Sequence, residues 1–251
     1  MTSKHFIKQL LSSRVDNSIA VIAEIKPSTP KGGDLLRGRD PATIARAYQN
    51  AGAACLSVVT GKWFGGTPEL LEQVASVASL PILRKDLVVN SEQIRQSIAL
   101  GASAVLLTRK LLAHSQLHRL VDLCIQNRVT PFVEVHEERE LDGMELCKEM
   151  VLALTNRDIS VKETDTDSGL RSLELVEKCR GAGALVSASG IDSHSDACRL
   201  VTAGFDGLLV GSSLLKAPDP GEALQTLRGV VGRPESLPNG HSSSTTEPLA
   251  M

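Results

Sequence analysis

Eight short runs rich in Val, Ile and Leu, separated by segments with helical spacing of apolar residues, predict an α/β protein built as a (β/α)8 TIM barrel. The runs are apolar almost throughout, as strands covered by helices must be. Eight strand–helix units also fill a chain of 251 residues, close to the ~250 that such a barrel needs. A doubly wound open sheet is the competing architecture.

In chain order the strands are "IAVIAEIK" from Ile19, "CLSVVT" from Cys55, "PILRKD" from Pro81 and "SAVLLT" from Ser103. They continue with "TPFVEV" from Thr130, "MVLALTN" from Met150, "ALVSASG" from Ala184 and "GLLVGSS" from Gly207. Helical spacing marks "PATIARAYQNA", "TPELLEQVASVA", "SEQIRQSIALG" and "SQLHRLVDLCIQN". Asp40-Pro41 and Thr67-Pro68 open two helices, and Gly52, Gly101 and Gly204 follow three. The boundaries are a short N-terminal helical extension over 1–18, one barrel domain over 19–231 and a tail over 232–251. The tail is Pro/Ser/Thr-rich without periodicity and reads as disordered.

Composition narrows the function classes. With 27 basic and 29 acidic residues the net charge is −2, which gives no field for nucleic acid or an anionic membrane. Only four Phe, one Tyr and one Trp are present, so the core is aliphatic. Cys55, Cys124, Cys147, Cys179 and Cys198 lack metal-ligand spacing and read as reduced thiols. No run is long enough to span a membrane, and the N-terminus is too short and polar for a signal peptide. The expectation is a cytoplasmic protein, a monomer or weak homodimer, with a small-molecule partner.

Active sites in such barrels lie at the C-terminal ends of the strands. Here those ends carry Glu24 and Lys26, Thr60, Lys85-Asp86, Glu134, Asn156-Arg157, "SASG" and Gly211-Ser212. Glu24 and Lys26 are two apart and share a strand face. Each charge alone has a bland explanation: Lys85 can pair with Asp86, and Arg157 with Asp158. Together they outline an ionisable mouth. The Gly-Ser pairs after strands 7 and 8 offer backbone N–H groups for a phosphate.

At these residues the chain resembles the indole-3-glycerol phosphate synthase family. The resemblance runs from about Val21 to Leu215 and rests on "VIAEIKPSTPKGG", "PILRKDLVVNSEQI", "GASAVLLTRKLL", "FVEVHEEREL", "TNRDI", "VSASGI" and "LLVGSSLL". It implies ring closure, decarboxylation and dehydration of carboxyphenylamino-deoxyribulose 5-phosphate, with no metal or organic cofactor. Lys85 would be the general acid and Glu134 the general base. Lys26 would engage the substrate carboxylate and assist loss of carbon dioxide, with Glu24 orienting it. Arg157, Asn156, Thr155, Thr29 and Ser189 would contact substrate, and Gly190, Gly211 and Ser212 its phosphate.

The scattered histidines, His136 among them, read as surface or helix-start residues. Three departures stand out. Thr155 replaces the first of the family's two asparagines at the end of strand 6. Ala188 stands where strand 7 usually carries Glu. The segment before the first strand is shorter, with "KHFIKQLL" read as a remnant of helices that cover the substrate. A diverged paralogue acting on a modified substrate, and a catalytically weak binding or partner subunit, are the alternatives. The isomerase barrel of the same pathway uses a Cys and an Asp at strand ends 1 and 5, where this chain has Glu24/Lys26 and Glu134.

Overall fold

The computed structural model describes residues 5–13, 18–29, 33–156 and 172–229. Eight parallel strands close into a barrel in chain order: β1 Val21–Ile25, β2 Cys55–Val59, β3 Ile82–Lys85, β4 Ala104–Thr108, β5 Thr130–Val135, β6 Val151–Thr155, β7 Ala184–Ala188 and β8 Gly207–Val210. β1 pairs β8 through Val21–Leu208 and Ala23–Val210, which completes the ring and leaves no open edge. The open-sheet alternative is thereby excluded.

Helices follow the strands where the sequence carries start signals. They are α1 Phe6–Ser12, α2 Pro41–Asn50, α3 Pro68–Val77, α4 Ser91–Ala99, α5 His114–Gln126, α6 Ser172–Leu175, α7 His194–Thr202, α8 Ser212–Lys216 and α9 Pro220–Arg228. Asp40 caps α2 by accepting from the Thr43 N–H, and Thr67 caps α3 by accepting from that of Leu70, each just before a Pro at the first helical position. Asn90 and Gln93 form a reciprocal capping box on α4.

Two expectations about elements fail. "VEVHEEREL" does not open an α-helix: only a 3-10 turn, Glu138–Leu141, lies between β5 and β6. Asp142-Gly143 stops it, with Gly143 in the left-handed region at φ +69°. Nor does "KHFIKQLL" cover the mouth. α1 plugs the opposite end of the barrel, where Phe6 and Leu10 are fully buried. Phe6 meets Phe132 edge-to-face at 6.1 Å between centroids, and its carbonyl accepts from Cys55 at the start of β2. Burying such a side chain contributes roughly 1.5–3 kcal/mol, so the extension works as a stopper. The proposed tail over 232–251 lies outside the described residues.

The core has two parts. Outside the sheet, the helices bury aliphatic side chains such as Ile44, Leu71, Ile94, Leu120 and Leu200 against the outward residues of the strands. Inside, Ile22, Leu83, Leu106, Phe132, Ala153 and Val186 fill the barrel from alternate strand positions. Two residues further along the same faces stand Glu24, Lys85, Thr108, Glu134 and Thr155, with the apolar Ala188 on β7 the exception. The strand period thus delivers Glu24, Lys85 and Glu134 to one mouth.

Candidate active site

Glu24 is the centre of this mouth. It is 2% exposed, yet it lies 3.4 Å from the Lys26 Nζ and 3.3 Å from the Lys85 Nζ. Burial opposes its ionisation, but the charges and hydrogen bonds of Lys85 and Lys26 outweigh that and hold its carboxyl below the ordinary value of 4.5. Lys85 therefore reaches across from β3 to β1. Its sequence neighbour Asp86 is engaged elsewhere, accepting from Arg84 at 2.9 Å and from Thr60 at 2.7 Å. The bland Lys85–Asp86 pairing does not form. Alternation explains this: Arg84 and Lys85 leave opposite faces of β3, and Arg84 is anchored behind the sheet by Gln96 and Ser97 of α4.

Lys26 also lies 5.1 Å from the centroid of the Phe64 ring, a cation–π contact. Phe64 sits in the 3-10 turn Lys62–Phe64 after β2, and its carbonyl accepts from the Ser28 N–H at 3.0 Å. Sequence reasoning passed over Phe64. The signal was an aromatic pair, Trp63-Phe64, on a loop at the active end of the barrel.

Gly211 is a second closely fitted position. A Cβ there would fall 2.6 Å from Glu24 Oε1 and 2.9 Å from Glu24 Cβ, so the carboxylate needs a residue without a side chain beside it. Across from it, Ser189 and Gly190 both adopt positive φ, +66° and +68°. Glu24, Lys26, Lys85, Ser189, Gly190, Gly211 and Ser212 line one cleft. The Ser213 hydroxyl donates to the Ile191 carbonyl at 3.0 Å and ties the loops after β7 and β8 together.

Asn156 departs from expectation. Its side-chain amide donates to Ser187 Oγ, Ala188 O and Ser189 O, and its carbonyl oxygen accepts from the Ser172 N–H at 3.0 Å. It braces the strained Ser189 turn. Thr29 closes the loop after β1, where its hydroxyl accepts from the Gly33 N–H at 3.2 Å. Arg157 lies outside the described residues. Thr155 and Ala188 are register partners on adjoining strands, and Ala188 also pairs with Leu209. The two departures from the family pattern thus form a single patch.

Glu134 lies at the end of β5, 2% exposed, and its Oε1 has no hydrogen-bond partner among the described residues. His136, read from sequence as a surface or helix-start residue, is buried beside it with its side chain 3% exposed. The missing α-helix is the reason: the chain turns back at once, and Glu140 folds over the imidazole. No group of three or more His, Cys, Asp or Glu among the described residues is arranged to hold a metal ion.

Comparison with known proteins decides the family. The family model described as indole-3-glycerol phosphate synthase matches residues 1–227. The chain belongs to the indole-3-glycerol phosphate synthase family. Among its relatives, indole-3-glycerol phosphate synthase of Carboxydothermus hydrogenoformans is 39% identical over 220 residues, 87% of this chain and 82% of that protein. The Pyrococcus furiosus synthase is 39% identical over 206 residues, 82% of this chain and 90% of that protein. Indole-3-glycerol phosphate synthase 2 of Ralstonia nicotianae is 34% identical over 215 residues, 85% of this chain and 79% of that protein. No helix among the described residues is long and apolar enough to cross a membrane.

Proposed function

We propose that this chain is a carbon–carbon lyase that converts 1-(2-carboxyphenylamino)-1-deoxyribulose 5-phosphate to indole-3-glycerol phosphate, in tryptophan biosynthesis. The observation that carries the reading is the buried Lys26–Glu24–Lys85 array, two ammonium groups fixed on one carboxylate at the mouth of a family barrel. Ring closure puts negative charge on the ketone oxygen as the arene carbon attacks it. Lys85 is placed to protonate that oxygen, an acid contribution of typically 10²–10⁴ in rate. Lys26 holds the substrate carboxylate, which leaves as carbon dioxide. Glu134 takes the ring proton lost together with the hydroxyl, and its unpartnered oxygen supports that role.

The phosphate falls to Gly190, Gly211 and Ser212, where the Ser189-Gly190 turn and the start of α8 border the same cleft. Ser189, Thr155, Thr29 and Arg157 complete the substrate contacts in this reading, with Asn156 acting through the Ser189 turn. A cytoplasmic location is supported by the dispersed free cysteines, three of them buried. The adjacency of Thr155 and Ala188 favours a second reading, a paralogue whose substrate carries a larger aryl or sugar part.

A fluorescence assay on the unsubstituted substrate tests the first reading, with Lys85→Gln as control. Indole formation abolished by the substitution supports it. Binding without indole formation rejects it in favour of the second.

A further inference from the structure

Behind Glu134 lies a titratable chain that ring closure as described leaves unused. His136 follows Glu134 by two residues, so both side chains leave the same face at the top of β5. Its Nε2 lies 4.0 Å from Glu134 Oε1 and its Nδ1 3.7 Å from Glu140 Oε2, and neither ring nitrogen has a hydrogen-bond partner among the described residues. Glu140 is fixed in place because its Oε2 accepts from the His136 backbone N–H at 2.9 Å. Burial disfavours ionisation of Glu140, but the contacts from His136 prevail and hold its carboxyl below the ordinary value.

A neutral imidazole has one N–H and one lone pair. With its N–H on Nδ1, directed at Glu140, its Nε2 lone pair meets an oxygen of Glu134. Two lone pairs in a buried contact repel unless a proton lies between them. The Nε2 lone pair is therefore set to accept a proton that arrives on that oxygen. Catalytic hydrogen bonds in ligand-free enzymes are commonly long and tighten in the substrate complex, which suits these separations.

We propose that His136 is a positioning residue for Glu134 and the acceptor to which Glu134 passes its proton. The proposal rests on the ring-closing reading for the origin of that proton. The proton leaves the substrate ring carbon for Glu134 Oε1 and moves on to His136 Nε2. The Nδ1–H stays directed at Glu140, whose charge balances the imidazolium, and Glu134 returns to a carboxylate. The groups facing the imidazole are Glu134 from β5 and Glu140 from the following turn. Lys110, after β4, acts on Glu140.

The test combines kinetics with a signal independent of turnover. His136→Asn keeps a planar polar side chain that cannot carry the proton. It is expected to lower kcat about 10-fold or more while KM changes less than about threefold, because His136 touches no substrate. Glu140→Gln is expected to act in the same direction but less, and the double variant to be no worse than His136→Asn alone. The imidazole ¹⁵N resonances of His136, identified by their loss in His136→Asn, should move in Glu134→Gln. Should His136→Asn fail to fold, His136→Gln and the resonance shift carry the same test. Unchanged kcat in an active enzyme, or resonances unmoved by Glu134→Gln, overturns the proposal and leaves ring closure standing. No indole from the wild type overturns the ring-closing reading instead, and the resonances alone then decide whether His136 is coupled to Glu134.

Discussion

The mouth of the barrel is built from two unlike arcs. On β1, β3 and β5 the mouth-end positions carry Glu24, Lys26, Lys85, Glu134 and His136, in two groups: Lys26 and Lys85 at 3.3–3.4 Å from Glu24, and His136 at 4.0 Å from Glu134. On β6, β7 and β8 the corresponding positions among the described residues are Thr155, Ala188, Leu209 and Gly211, none of them titratable. The first arc can move protons, whereas these positions of the second shape the pocket beside it. An enzyme that kept the first and altered the second would keep its chemistry and change its guest or its speed. This contrast speaks against a decayed barrel, because a buried group of charges without a function is costly to maintain.

The largest expected effect comes from the first arc. Lys85→Gln removes the proposed acid and one of the two ammonium groups on Glu24, and turnover should fall by about 10²–10⁴. Thermal unfolding separates this from misfolding: a folded, inactive variant supports the acid role, and a folded variant with unchanged turnover removes Lys85 from the reaction.

Glu24→Gln should damage stability as well as rate. It removes the buried carboxylate against which both Lys26 and Lys85 are set, and breaking such a pair typically costs about 3–5 kcal/mol. The folded-state pKa of Glu24 lies below its ordinary 4.5, so the ion-pair stabilisation is complete above that value. It is lost as pH falls through the lower folded value. Denaturant melts from pH 7 downward should show the wild type losing its advantage over Glu24→Gln only in that acidic window. A constant difference at all pH values would mean that the carboxylate stabilises by packing.

Gly211→Ala probes the seam between the arcs. The added methyl would lie 2.6 Å from Glu24 Oε1, so either the carboxylate or the start of α8 must move. Displacing one preorganised group commonly costs about 10²-fold in rate. Turnover should drop with little change in melting temperature. An undiminished rate would show that Glu24 tolerates displacement.

Much of this was legible from sequence because the strand period is short-range. Eight apolar runs gave the strands, their ends gave the mouth, and Asp40-Pro41 and Thr67-Pro68 gave helix starts. What escaped depends on residues far apart in the chain. The partner of Lys85 is Glu24 across the barrel, not Asp86 beside it, and only strand register and side-chain direction decide that. His136 looked like a surface residue because "HEEREL" suggests a helix start, and the 3-10 turn that buries it forms only when Glu140 folds back. α1 has the same apolar spacing whether it covers the mouth or plugs the base. The T-shaped contact with Phe132 fixes it at the base.

The smallest effect belongs to the second arc and decides what that arc is for. Ala188 is fully buried between Thr155 and Leu209 in the sheet register. Ala188→Val adds two methyl groups at this position. An apolar pocket discriminates by only ~1–3 kcal/mol per methylene, so modest changes are expected, and overpacking can itself cost about 1–3 kcal/mol of stability. The informative quantity is therefore a ratio within one variant. If the arc has opened to admit a larger substrate, Ala188→Val should lower kcat/KM for ring-substituted analogues about 10-fold relative to the unsubstituted compound. If Ala188 has only slowed the standard reaction, both substrates should respond alike. In that case the charged arc alone defines what this barrel does.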